Sequence, residues 1–501
     1  MKLFIPTCTL NFNNIFSTES ISPKAHYATR GFGNRRYYSV EANSLDLAVT
    51  LYSKYPVFQV DDADLENYPM VIEIDTDDYE PNNFNLSGSN NEKITVEKNW
   101  ILSFSELSHH IEGLPEGRKI IFIDELPWMD TAKSGFIPAL ENFWNSWASL
   151  RDDIKLIVCG SATSWMISNL INSKGGLHGC LTHQILVEPF SLYDCERYFS
   201  HYGFRFSRRQ ISECYMVMGG IPYYFSMMDK SLSLAQNIDR LFFGADSELR
   251  NEFSSLYRAL FKRPDPYIAV VTTLAQVGKG LTRREIISRS SLTDNGAFSE
   301  MLEELEQCGF IRSYLPFGNQ SSPLATGNRL PKETLFQLTD FFTMFYFSFI
   351  AKNRFHDSQF WSHSQNSPTH NTWACLAFEK LCLSHLPQIK QRLGIAGVQT
   401  NACSWRSSPE SPKVQIDLLI DRKDETVNLC EMKFSRSEYE IDSEEEQKLL
   451  RRIDVFQSET GTSKSIIQTL VTTAGLKRNS HSDIIQSVIT VEDLFVPPFV
   501  L

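Results

Sequence analysis

The sequence has no Cys-x-x-Cys pair, although it holds ten cysteines. Their scatter argues against zinc-ribbon and thioredoxin-like sites. Many lie inside apolar runs, where a free thiol acts as a small hydrophobe, and such a set suits a reducing, cytoplasmic setting. No apolar run nears the roughly 20 residues that span a bilayer. The most apolar stretch, Phe341–Ile350, is aromatic-rich and reads as a buried helix. Basic charge is not in excess: 48 Lys+Arg stand against 60 Asp+Glu, a net of −12. That balance argues against a chain that coats nucleic acid by bulk charge, but it leaves room for a local basic face. Internal repeats and sustained low-complexity tracts are also missing.

What is present suffices for several cores. A chain of 501 residues, 42% of them hydrophobic, divides at roughly 150 residues per domain into about three domains. The first forty residues carry one acid, Glu19, and five basic residues. Pro6 and the run Asn11–Asn14 break any amphipathic targeting helix there. Val57–Val60 and Met70–Ile74 have strand character, and the polar, turn-rich stretch 75–93 reads as a loop. Residues 1–95 therefore form an unassigned, strand-rich segment.

From residue 96 the rhythm becomes α/β. Helical spacing over Trp100–Ile111 precedes the apolar strand Lys119–Ile123, then a helix over Ile137–Leu150 and a second apolar strand at Ile154–Cys159. Continuous apolar strands alternating with helices predict a parallel sheet covered on both faces. Residues 189–262 read as helical, broken at Gly219-Gly220. Three short helices and a hairpin follow over 263–355, the pattern of a winged helix-turn-helix. The polar stretch His356–His370 suggests a boundary. Residues 356–501 then read as a mixed α/β domain with a charged helix at 442–457, whose acids Glu444–Glu446 read as a solvated face.

Two constellations carry chemistry. The first is Lys-Ile-Ile-Phe-Ile-Asp124-Glu125, an apolar strand ending in two acids, which is a Walker B pattern. Asp124 would hold Mg²⁺ through water, and Glu125 would polarise the attacking water. The plain alternative is a buried strand ending in solvated acids. The second is Asp417 in the strand Val414–Ile420, followed by Glu431-Met432-Lys433 in Leu429–Phe434. Residues two apart on a strand point to one face, so Glu431 and Lys433 share a side, and Asp417 on a paired strand can meet them. This is the Asp…Glu-x-Lys form of the PD-(D/E)xK pattern, with Glu379 on the preceding helix as an additional acid. The carboxylates would bind Mg²⁺ or Mn²⁺, and Lys433 would orient or deprotonate a water. The alternative is a nuclease-like fold kept for binding only.

The stretches Ile123–Asp130, Phe143–Trp147, Cys159–Trp165, Gly175–His178 and Gly219–Tyr224 resemble the prokaryotic AAA-type family often called archaeal ATPases, over residues 98 to 501. The resemblance implies an AAA+ core over 96–188, a helical lid, a winged helix, a carboxyl-terminal nuclease-like domain, ATP as cofactor and DNA as target. It also implies that Ser161, ending the strand beside Asp124, senses the γ-phosphate. Two departures stand out. The phosphate loop G-x-x-x-x-G-K-[ST] does not occur upstream of Asp124, so no lysine or amide nest is provided for the phosphates. Gly179-Cys180 also stands where the family commonly has an arginine. The third helix of the winged helix carries Glu300, Glu303, Glu304 and Glu306, a face suited as well to a protein partner or a second copy as to DNA. The reading is thus an α/β multidomain chain with an incomplete AAA+ core: an ATPase-coupled nuclease, a nuclease-like domain on a nucleotide-incompetent scaffold, or a non-catalytic scaffold or interaction protein derived from a truncated or rearranged ATPase gene.

Overall fold

The computed structural model describes the strand residues 2–7, 70–75, 84–87 and 93–95, and then residues 100–124, 126–131, 134–160, 163–166, 170, 177, 180–244, 247–261, 263–277, 280–317, 332–353, 357–408 and 410–497. The chain folds as two compact units, residues 1–186 and 187–501. The architecture is mixed α/β. Among the described residues no helix is long and apolar enough to cross a membrane.

In the first unit, β1 (Lys2–Thr7), β2 (Met70–Asp75), β3 (Phe84–Ser87) and β4 (Lys93–Thr95) form an antiparallel sheet in that order. The strand β3 falls in the stretch expected as a loop, where Phe84 and Leu86 alternate with polar residues at the strand period. The expected strand Val57–Val60 lies outside the described residues.

Helix α1 (Trp100–Gly113), β5 (Lys119–Ile123), α2 (Phe136–Ser146) and β6 (Ile154–Val158) follow. The strands β5 and β6 pair in parallel, from Lys119↔Ile154 to Ile123↔Val158. Ile121, Ile123, Leu156 and Val158 pack on a core of Phe104, Phe136, Leu140 and Phe143. The opposite face is bare: Ile120, Phe122 and Ile157 are 63%, 44% and 38% exposed. Cover on both faces was expected. Among the described residues this sheet has two strands, and the core formed with α1 and α2 takes one side.

The second unit opens with α3 (Leu192–His201) and α4 (Arg208–Met218). Both begin with capping boxes, in which Ser191 and Ser207 exchange hydrogen bonds with Asp194 and Gln210. At the end of α4, Gly219 has φ 64° and ψ −167°, a region essentially restricted to glycine. Phe190 N–H donates to Gly220 O at 2.7 Å, and a Cβ on Gly220 would lie 2.0 Å from Phe190 O.

Next come α5 (Glu252–Leu260), α6 (Pro264–Val277), β7 (Leu281–Thr282), α7 (Arg283–Ser290), α8 (Gly296–Gln307), β8 (Ile311–Tyr314) and β9 (Leu335–Leu338). The strands form a small antiparallel sheet in the order β7-β9-β8 beside α6–α8. The aromatic stretch is largely helical, as α9 (Phe341–Ser348), and buried.

The polar stretch expected as a boundary lies inside this unit. Phe349 packs on Trp361 and Trp373, with ring centroids 5.0 and 5.4 Å away. Buried Asp239 accepts the Trp361 N–H at 2.9 Å. These contacts carry one apolar cluster from Leu192 to Phe495.

The last region contains α10 (Pro368–Ser384), α11 (Leu386–Arg392), β10 (Thr400–Arg406), β11 (Gln415–Arg422), β12 (Thr426–Lys433), β13 (Tyr439–Glu440), α12 (Ser443–Thr460), β14 (Ser465–Thr472), β15 (Leu476–Lys477) and β16 (Ser487–Thr490). The main sheet runs β10-β11-β12-β14-β16. Its first three strands are antiparallel, and β14 and β16 join in parallel. Helix α12 is the crossover that a parallel neighbour requires.

Candidate functional site

At the end of β5, Asp124 is half-buried and accepts a hydrogen bond from the Cys159 thiol. Cys159 N–H donates to Ile123 O at 2.9 Å, and Leu126 N–H donates to Cys159 O at 2.9 Å. The parallel ladder therefore continues past the strands and ties the acid to its neighbouring chain. Glu125 and Ser161 lie outside the described residues.

The second constellation comes together on the main sheet. Leu418 pairs with Cys430, so the next step of the antiparallel register sets Asp417 opposite Glu431. Lys433, two residues on, shares Glu431's side of β12. Its Nζ lies 2.8 Å from Glu431 Oε1 and 3.0 Å from Glu445 Oε1 on α12. Arg452, two turns further along α12, pairs with the other oxygen of Glu431. Asp417 accepts a hydrogen bond from the Gln415 amide. Helix α10 packs against β12 and brings Glu379 within electrostatic reach of both acids.

Burial, followed by the charges of Asp417 and Glu431, pushes Glu379 up to about 8, although Lys380 and Lys433 oppose the shift. Like charges sharing a low-dielectric site resist joint ionisation. Lys380, the next residue, is 5% exposed, and its ammonium has no hydrogen-bond partner among the described residues. Burial, reinforced by Arg312, pulls Lys380 down to about 7 against the pull of Glu379 and Asp417. Burial alone would lower Lys433 too, but its contacts with Glu431 and Glu445 outweigh it and hold the ammonium above its ordinary value.

Among the described residues no group of three or more His, Cys, Asp or Glu side chains is set to hold a metal ion. Both oxygens of Glu431 are engaged by cations. The donor set of Glu379, Asp417 and Glu431 is nevertheless all oxygen, which suits Mg²⁺ or Mn²⁺ rather than a soft metal. The mutual repulsion recorded in Glu379 is what a divalent cation would relieve. The donors fit such an ion in type and charge, once Glu431 exchanges a cationic side chain for it.

Sequence reasoning missed Gln415, Lys380, Glu445 and Arg452. Glu445 was read as part of a solvated face. Instead it is half-buried on Lys433, while Glu446 holds His481 Nδ1 at 2.7 Å and Glu444 alone of the three is exposed, paired with Lys448. A signal was available for Glu445 and Arg452. They lie seven residues apart, which places both on one helix face.

No family model matches the chain, and no curated protein matches it. Among solved structures, the chain is similar to a Walker-type ATPase of Pyrococcus abyssi at 17% identity and a TM-score of 0.33, over 48% of this chain. The chain covers 65% of that protein's length. At that score the likeness carries no assignment of activity.

Proposed function

We propose that the carboxyl-terminal site is a nuclease-like centre that hydrolyses phosphodiester bonds in DNA with Mg²⁺ or Mn²⁺. The observation that carries this reading is the meeting of Asp417, Glu431 and Lys433 on two paired strands, with Glu379 forced towards its neutral form beside them. Glu379, Asp417 and Glu431 would hold the ion, which when bound would supply Lewis acidity towards the phosphate and a more acidic water. Lys433 stays charged at neutral pH, so its part is to orient a water or a phosphate oxygen rather than to take a proton. Glu445 and Arg452 position Lys433 and Glu431. The three-helix module before the sheet is read as a winged helix. The exposed acids of α8, Glu300 and Glu303, suit contact with a protein partner or a second copy, whereas Glu304 and Glu306 are half-buried and accept hydrogen bonds from Tyr267 and from the Ser313 N–H.

The test is cleavage of supercoiled, linear and single-stranded DNA by the full chain with Mn²⁺ or Mg²⁺, beside Lys433→Ala. Metal-dependent cleavage lost in the variant supports the reading. No cleavage of any form with either metal sinks it.

A second reading has its own observation. Arg452 and Lys433 already neutralise Glu431, as they would in a centre kept for binding alone. For the first unit, the reading of ATP at Asp124 and Glu125 rests on the strand motif and its parallel neighbour. It lacks a phosphate loop, and Asp124 is already engaged by Cys159. Calorimetry with Mg-ATP beside Asp124→Asn separates a nucleotide site from a structural remnant.

A further inference from the structure

Asp417 does not sit in a closed pocket. It stands at one wall of a cleft of about 1030 Å³ between the three-helix module and the main sheet. This is at the top of the roughly 300–1,000 Å³ range of small-molecule sites. The two walls are joined where Phe317 N–H donates to Ser404 O at 2.9 Å. Three exposed cations from separate elements line it: Arg284 at the start of α7, Lys332 just before β9, and Arg406 at the end of β10. None of the three forms an ion pair among the described residues. Arg283, the other arginine lining the cleft, is already spent on Asp294 at 2.7 Å. The half-buried rings of Tyr314 and Phe317 line the same cleft, Tyr314 with the Arg312 guanidinium over its ring at 4.8 Å and Phe317 packed on Phe456 at 5.2 Å, so each has one side left for a ligand.

Cations that track a backbone, interleaved with aromatic faces, are the features that hold single-stranded nucleic acid. A duplex reader would instead present a polar helix to a groove, and the helix available here, α8, is acidic. Small acidic ligands would leave most of the volume and the aromatic surface unused.

We infer that this cleft seats a single strand of nucleic acid, with Arg284, Lys332 and Arg406 on its phosphates and Tyr314 and Phe317 against its bases, and leads it to Asp417. The assignment deepens the nuclease-like reading of the same site and rests on it for what happens at Asp417. Binding itself does not depend on cleavage.

The experiment is fluorescence anisotropy of the full chain with a labelled oligothymidylate of about fifteen nucleotides, in EDTA so that no strand is cut. The matching duplex and polyglutamate serve as competitors. The triple variant Arg284→Ala/Lys332→Ala/Arg406→Ala is compared with a control that removes three exposed cations elsewhere, Lys230→Ala/Arg263→Ala/Lys423→Ala. Loss of three single-strand phosphate contacts flattens the slope of log K against log salt by about 2 and weakens binding about tenfold or more at moderate salt. The control should keep the wild-type slope, and the single strand should out-compete duplex and polyglutamate. The inference is overturned if the triple variant, with an unchanged melting temperature, binds as wild type does, or if duplex or polyglutamate competes equally well. If binding follows the expected pattern while Mn²⁺ gives no cleavage, the catalytic reading fails and the cleft assignment stands. Cleavage with no cleft-dependent binding gives the reverse.

Discussion

Lys433 on β12 reaches Glu445 on α12, Nζ to Oε1 at 3.0 Å, while also pairing with Glu431 at 2.8 Å. A crossover helix thus fixes the lysine of a strand motif. Its acid is the middle member of a run that sequence alone suggests is solvated.

Glu445→Gln should therefore loosen both Lys433 and the docking of α12. A partly buried pair of this kind is worth about 1 kcal/mol, so urea denaturation at pH 7 should show a loss of that order. Burial alone would raise the Glu445 carboxyl, but Lys433 outweighs burial and holds it below its ordinary 4.5. A depressed acid contributes stability above its unfolded pKa and loses it as pH falls through the folded value. The difference between wild type and Glu445→Gln should be full at pH 6 to 7 and shrink as pH drops below 4.5.

Arg452→Ala removes one of the two cations on Glu431. Releasing that oxygen from a pair worth about 1 kcal/mol should tighten Mn²⁺ binding roughly fivefold in calorimetry, at a small cost in melting temperature. Unchanged or weaker Mn²⁺ binding would show that Glu431 is not available to a metal.

Glu379 has the opposite sign to Glu445. Its folded pKa of about 8 lies above the ordinary 4.5, so between those values the folded state holds a proton that the unfolded chain has released. Metal-free stability should fall as pH rises from about 5 to 7. Lys380, at about 7 when folded, is a depressed base and adds stability as pH rises above that point, so the fall should level off there. Glu379→Gln should abolish the decline between pH 5 and 7 in chemical denaturation. A decline of unchanged slope in the variant would assign it to another group. Because a cation must displace the Glu379 proton, Mn²⁺ affinity should also rise with pH from 6 to 8.

Gly220→Ala tests the close backbone approach at the end of α4. The added methyl would fall 2.0 Å from Phe190 O, against backbone that has no rotamer by which to yield. The loss should exceed the 0.5–3 kcal/mol of a typical single substitution, read as a fall in melting temperature or in soluble yield. Gly244→Ala, with its nearest backbone atom at 3.3 Å, should cost less.

The parts legible in sequence were those written in local spacing. The helical spacing over Trp100–Ile111 and the apolar run Lys119–Ile123 match α1 and β5, and the two-residue interval puts Glu431 beside Lys433. The parts not legible depend on partners distant in sequence. Nothing local shows that Asp239 will hold the backbone of Trp361 and so carry one apolar core through a stretch as polar as a linker. Nor does the spacing of Glu379 and Lys380 show that both turn inward, because neighbours on a helix usually face different ways. For β5 and β6, apolar continuity predicted burial on both faces, yet Ile120 and Phe122 stand open. A strand's composition states what it could bury and not what arrives to cover it.

The register of β12 has a consequence in time. Its antiparallel neighbour β11 is upstream, but its parallel neighbour β14 begins at Ser465, after the whole of α12, and the edge strand β16 ends at Thr490. Parallel pairing across a crossover forms slowly because chain closure must precede the contact. During synthesis the ribosome must therefore emit the chain through Thr472 before Glu431 acquires both flanking strands. The nascent protein builds its helical region well ahead of its cluster of acids, which comes together only once that crossover has closed.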